Sequence, residues 1–93
     1  MKASARHILL SSKEICEELK LEIENGGDFA EIAKEYSECP SGYEGGDLGT
    51  FGPGEMVKAF DKVVFKGKVG KLYGPIKTQF GYHLIEVTGL SKD

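Results

Sequence analysis

Cysteine, histidine and proline are all scarce in this chain, and no long apolar run is present. Nothing in it approaches the ~20 consecutive apolar residues that a bilayer-spanning helix needs. No apolar segment follows Met1-Lys2, so no signal peptide is expected. With only Cys16 and Cys39 and no export signal in view, reduced thiols and a cytoplasmic setting are expected rather than a disulfide framework. The two cysteines and two histidines form neither a C-x-x-C nor a closely spaced histidine pair, so no metal site is expected. The glycine-rich middle of the chain fits neither dinucleotide- nor mononucleotide-binding fingerprints, which excludes a phosphate loop of those kinds.

What is present suits one small globular domain spanning 1–93. Apolar residues make up 40% and charged residues 29%, a balance that argues against disorder. A chain this short buries only ~60–65% of its unfolded surface, so each large apolar residue near the middle matters. The net charge of −3 conceals an asymmetry. Residues 12–47 hold eleven acids against three lysines, whereas residues 48–93 hold seven lysines against four acids. Lys58, Lys62, Lys66, Lys68, Lys71 and Lys77 fall within twenty positions, with Asp61 the only acid among them. Such a patch suits a weak contact with an anionic surface through Lys58, Lys62, Lys66 and Lys68, or simply a solvated face. An overall pI near 5.4 argues against nucleic acid as a partner.

Helical and extended patterns alternate irregularly. Residues 5–10 read as a buried strand with His7 and Leu9 on one face and Ile8 and Leu10 on the other. Ser11 and Glu14 have the spacing of a capping box, and Ile15, Leu19 and Ile23 make an apolar stripe down the helix that follows. Gly26-Gly27 stops it. Asp28 caps a second helix, with Phe29, Ile32, Ala33 and Tyr36 on its apolar face. Residues 40–54 carry six glycines and two prolines, which excludes a long regular element and leaves only a short strand around Leu48–Phe51. Residues 55–65 return to helical period, with Met56, Phe60, Val63 and Val64 sharing a face. Leu72–Thr78, interrupted by Gly74-Pro75, reads as an edge strand, and Tyr82–Thr88 as a better one. Mixed helices and strands with no βαβ run place the fold in the α+β class.

Both histidines fall inside predicted strands, at the two ends of the chain. If those strands pair, the imidazoles of His7 and His83 can share a hydrogen bond that sets each ring's tautomer. Taken singly, each histidine also fits an ordinary hydrogen-bonded core position. Cys16 reads as a small core hydrophobe, and Cys39 stands between a helix end and the glycine-rich loop.

The strand ARHIL, the block FAEIAKEYSECPSGYEGGDLGTFGPGEMVKAFDKVVF and the ending GPIKTQFGYHLIEV together resemble the rotamase domain of the parvulin family of peptidyl-prolyl cis/trans isomerases. The resemblance runs through nearly the whole chain. It implies a four-stranded antiparallel sheet surrounded by about four helices in the order βα3βαβ2, the short third helix lying within the glycine-rich stretch. It implies a catalytic set of His7, Cys39, Thr78 and His83, and a proline pocket of Leu48, Met56, Phe60 and Phe80, with Gln79 as a further candidate. It implies no cofactor, and as partners proline-containing peptides and unfolded proteins met by a monomer. The basic loop that phospho-specific parvulins carry after the first strand is missing, since Leu10 is followed directly by Ser11-Ser12-Lys13. Substrates with uncharged, often apolar residues before proline are therefore expected. A non-enzymatic folding helper or adaptor that clasps proline-containing segments would use the same pocket.

Overall fold

The two strands that carry the histidines lie side by side at the centre of one sheet. The computed structural model describes residues 1–91. In chain order these form β1 (Lys2–Leu10), α1 (Lys13–Glu24), α2 (Phe29–Tyr36), a 3₁₀ turn (Pro40–Glu44), β2 (Asp47–Phe51), α3 (Lys58–Lys66), β3 (Leu72–Thr78) and β4 (Gly81–Ser91). The sheet is antiparallel throughout, in the order β2-β1-β4-β3.

Both faces of the central strands carry apolar packing, interrupted on one face by the Arg6–Glu86 ion pair and on the other by the two histidines. On one face Ile8, Leu10 and Leu84 pack with Cys16, Leu19, Phe29, Ile32 and Ala33 from α1 and α2. On the other, Ala3, Ala5, Ile85 and Val87 pack with Phe51 and with Phe60 and Val64 of α3. His7 and His83 lie on this second face.

Several local expectations are corrected. Ser12, not Ser11, caps α1: its side chain accepts the Ile15 N–H, while the Ser11 N–H donates to Glu38 Oε2 at 2.8 Å. The buried stripe of α1 is Cys16 and Leu19 with Ile23 packed partly against them, and Ile15 is 44% exposed. The thiol at Cys16 takes the inward position because it is small and apolar enough to sit against the sheet. Tyr36, at the end of α2, is likewise exposed. Helix α3 begins at Lys58 rather than residue 55, because the preceding turn is held by its own side chains. There Gly54 N–H donates to Asp61 Oδ2 at 2.6 Å and Gly52 N–H donates to Glu55 Oε2. Among the described residues there are three α-helices, and the expected short helix in the glycine-rich stretch is the five-residue 3₁₀ turn, ended by Gly45 at φ 73°.

Two glycines are required by close approach. A Cβ on Gly46 (φ 85°) would stand 2.3 Å from the His7 carbonyl oxygen, and one on Gly74 (φ 141°) would stand 2.6 Å from that of His83. Each lets a neighbouring segment press against a histidine-bearing strand. As the interrupted pattern predicts, β3 is an edge strand with a register irregularity between Tyr73 and Ile76 around Gly74-Pro75.

Candidate active site

An apolar hollow of about 400 Å³ opens between the β1/β4 face, α3 and the glycine-rich segment. Its volume is within the roughly 300–1,000 Å³ typical of small-ligand clefts. Leu9, Leu48, Met56, Val57, Phe60 and Phe80 supply its greasy wall, and His7, His83, Cys39, Pro40 and Glu38 complete it. The Phe60 ring stands edge-on to both imidazoles, with centroids 5.7 Å from His7 and 6.0 Å from His83. Phe80, 61% exposed, stands at the mouth.

Behind the hollow runs a continuous chain of polar contacts. His7 Nδ1 and His83 Nδ1 are 3.0 Å apart, with the rings stacked at 16°. His7 Nε2 lies 3.1 Å from Ser41 Oγ, and the Ser41 hydroxyl donates to Cys39 Sγ at 3.3 Å. At the other end, His83 Nε2 lies 2.7 Å from Thr78 Oγ1, which accepts the Phe80 N–H at 3.1 Å.

The direction of each bond follows from the ends. Ser41 has one hydroxyl proton and gives it to sulfur, so Ser41 Oγ accepts from His7 Nε2–H. His7 Nδ1 is then bare and accepts from His83 Nδ1–H. His83 Nε2 is bare in turn and accepts the Thr78 hydroxyl proton. Every donor is used with one proton on each ring, so both histidines are neutral. Burial enforces this state: it pushes His7 down to about 4, helped by the neighbouring His83, and it lowers His83 as well.

The expected residues are therefore brought together, with one exception. His7, His83, Cys39, Leu48, Met56, Phe60 and Phe80 line the hollow, and Thr78 lies directly behind it against His83. Gln79 is exposed in the β3–β4 turn and is not part of the wall. Sequence reasoning missed Ser41, Leu9, Glu38 and Val57. Strand alternation already puts Leu9 beside His7, but nothing in the sequence tells that Ser41 bridges His7 to Cys39. Among the described residues, no group of three or more histidine, cysteine or acidic side chains converges in a way that would hold a metal ion.

A largely apolar cleft backed by two uncharged imidazoles is suited to turning a bound amide, which places the molecule among the rotamases. The match to the PPIC-type PPIase domain covers residues 1–91, and the chain belongs to that family, the parvulin-type peptidyl-prolyl cis/trans isomerases. It is 50% identical to the foldase protein PrsA of Geobacillus sp. (strain WCH70) over 94% of this chain and 32% of that protein. The chain thus spans about a third of the length of such curated relatives. It superposes on the crystal structure of the peptidylprolyl isomerase PrsA from Bacillus anthracis with a TM-score of 0.95, at 36% identity, covering 98% of this chain and 42% of that one. Against NmPin, the parvulin of Nitrosopumilus maritimus, the TM-score is 0.85 at 38% identity, covering 95% of this chain and 96% of that one.

Proposed function

We propose that this domain accelerates rotation about unphosphorylated X–Pro bonds of flexible or unfolded protein segments by a non-covalent route. The observation that carries the reading is the juxtaposition of the Leu48/Met56/Phe60 hollow with the neutral His7–His83 pair. The barrier to rotation is ~18–20 kcal/mol, and a thousandfold acceleration asks for only about 4 kcal/mol. No covalent bond breaks, so the chemistry calls for no nucleophile and no redox group.

A planar imide is strongly dipolar and well solvated by water. Twisting it removes resonance and with it part of the dipole, so a water-poor wall favours the twisted form over the planar one. The pyrrolidine ring seats against Met56, Phe60 and Leu48 while the preceding carbonyl swings. Neutral imidazoles suit this task, because a charged ring would hold water in the cleft and favour the dipolar ground state. Through the contacts described, Cys39, Ser41 and Thr78 keep those rings in one tautomer and orientation, which makes them positioning residues.

The absence of a cation in the wall among the described residues supports unphosphorylated substrates, since Glu38 is the only charged side chain among the described residues that line it. Only Ser11 and Ser12 separate β1 from α1, so no basic loop overhangs the site. Exchange NMR on an Ala-Leu-Pro peptide tests the activity. Faster cis/trans exchange is expected, whereas binding without any rate gain would leave only a clasping role. A tenfold or greater preference for phosphoserine-proline would overturn the substrate class.

On α3, Lys58, Lys62 and Lys66 are exposed at four-residue intervals, and Lys68 follows just beyond the helix end. This stripe supports a weak contact with an anionic surface, expected to sediment with acidic liposomes in a salt-sensitive way. The free thiols of Cys16 and Cys39 support a reducing, cytoplasmic setting, which cell fractionation checks. A monomer is expected, and light scattering checks it.

A further inference from the structure

Beyond the Glu38-Cys39-Pro40 wall of the proline hollow lies a second hollow of about 350 Å³, and those three residues line both. Its far side is made by Lys34, Glu35 and Tyr43. We infer that the client groove continues across this wall and that the second hollow receives an arginine or lysine side chain flanking the proline. The inference rests on the reading of the first hollow as the proline seat, because the occupant is the same client chain.

Three observations select the occupant. Continuity is the first: Glu38, Cys39 and Pro40 line both hollows, so a segment leaving the proline seat over Cys39 and Pro40 meets the second hollow next. The second is Tyr43, which is 85% exposed on a fixed support. The turn beneath it is pressed so tightly onto α2 that a Cβ on Gly42 would stand 2.8 Å from the Ala33 carbonyl oxygen. Gly42 N–H donates to the Cys39 carbonyl and Gly46 N–H to that of Ser41, which hold the turn closed. An exposed ring on a rigid base offers its π face to a passing cation.

Charge is the third. Residues 35–47 contain Glu35, Glu38, Glu44 and Asp47 and no basic residue. Lys34 also lines the hollow, but its exposed ammonium is turned to within 3.9 Å of Glu31 Oε1, one turn back along α2, which leaves one cation against Glu35 and Glu38. A guanidinium would thus meet the Tyr43 ring together with the Glu35 and Glu38 carboxylates. This narrows the expectation drawn from the missing basic loop: anions near the proline are disfavoured, and a cation at one flanking position is favoured over an uncharged residue.

The test uses octapeptides with a single Leu-Pro bond, scanning one arginine through the flanking positions of an otherwise alanine background. One arginine position should raise kcat/KM roughly fivefold over the alanine peptide at low salt. The gain should shrink in about 0.5 M salt, where screening acts within a few ångströms. It should disappear in Tyr43→Ala and in Glu35→Gln, read as the ratio of the arginine to the alanine peptide. Chemical-shift mapping of the same peptides reads occupancy independently of turnover, with Lys34, Glu35 and Tyr43, which line the second hollow alone, shifting only for the favoured one. No favoured position, or a preference that survives both variants, overturns the inference. Absence of turnover with every peptide, while the arginine peptide still shifts Lys34, Glu35 and Tyr43, would instead sink the isomerase reading alone.

Discussion

His7 Nδ1 and His83 Nδ1 lie 3.0 Å apart, although neither residue is the other's partner across the sheet. His7 stands opposite Ile85 and His83 opposite Leu9, so the two rings meet on the diagonal of one face. Like atoms face each other, which demands that one nitrogen carry a proton and the other not. With Ser41 and Thr78 at the outer nitrogens, His7 is the Nε2–H tautomer and His83 the Nδ1–H tautomer.

This arrangement makes stability fall in mild acid. His7 titrates at about 4 when folded, against an ordinary value of 6.5, so between those values the unfolded chain binds a proton that the folded chain refuses. Its contribution is complete above pH 6.5 and is lost progressively toward pH 4, amounting to about 3 kcal/mol. His83, also lowered, adds in the same direction. Urea midpoints between pH 4 and pH 8 check this; stability that rises on acidification through this window would contradict it.

Ser41→Ala should leave the His7 Nε2–H buried without its acceptor, at a cost of about 1–3 kcal/mol. The expected signature is a shift of the imidazole nitrogen resonances toward a mixture of tautomers, with isomerase activity reduced but not abolished. Thr78→Val should act on His83 from the opposite end, whereas Thr78→Ser should restore the single tautomer. Unchanged imidazole spectra in Ser41→Ala and Thr78→Val alike would refute the relay.

Met56→Ala should lower kcat/KM about tenfold, mainly through KM, because two or so buried methylene equivalents leave the proline seat. Phe60 also packs against Phe51 in the core, so Phe60→Leu is the safer probe there. Cys39→Asp should keep substantial activity, since a carboxylate still accepts from the Ser41 hydroxyl. Complete loss in a folded Cys39→Asp protein would point to sulfur as a nucleophile.

Thiol labelling at pH 8 should modify at most one cysteine per native chain. Cys16 is fully buried and its thiol is pushed up to about 11 by that burial, so only Cys39, at the hollow, is available. Denaturant should release the second thiol. Two rapidly reacting thiols in the native protein would show that α1 does not pack as described.

Much of the fold is legible locally. The Asp28 cap, the Phe29/Ile32/Ala33 face and the edge position of the strand around Gly74-Pro75 follow from rules that act within a few residues. Where the reading slipped, two local signals competed. Ser11 and Ser12 both satisfy a cap pattern, and the choice rests on Glu38, twenty-seven residues away, which engages the Ser11 N–H. Ile15 is the more apolar residue, yet Cys16 is buried, because the sheet decides which side of α1 faces in. Gln79 shares a turn with Phe80, but only Phe80 reaches the hollow.

Residue order alone determined the α+β class, the strand assignments of both histidines and the apolar character of the residues that line the cleft. All of these depend on spacing along the backbone and on side-chain chemistry. The meeting of His7 with His83, the bridge from Ser41 to Cys39 and the second hollow beside Tyr43 were decided only by the tertiary structure. They arise from how β1 and β4 register and from how closely the glycine-rich turn is pressed onto α2 and β1. Those are contacts across dozens of residues, which only the packed chain can bring within hydrogen-bonding distance.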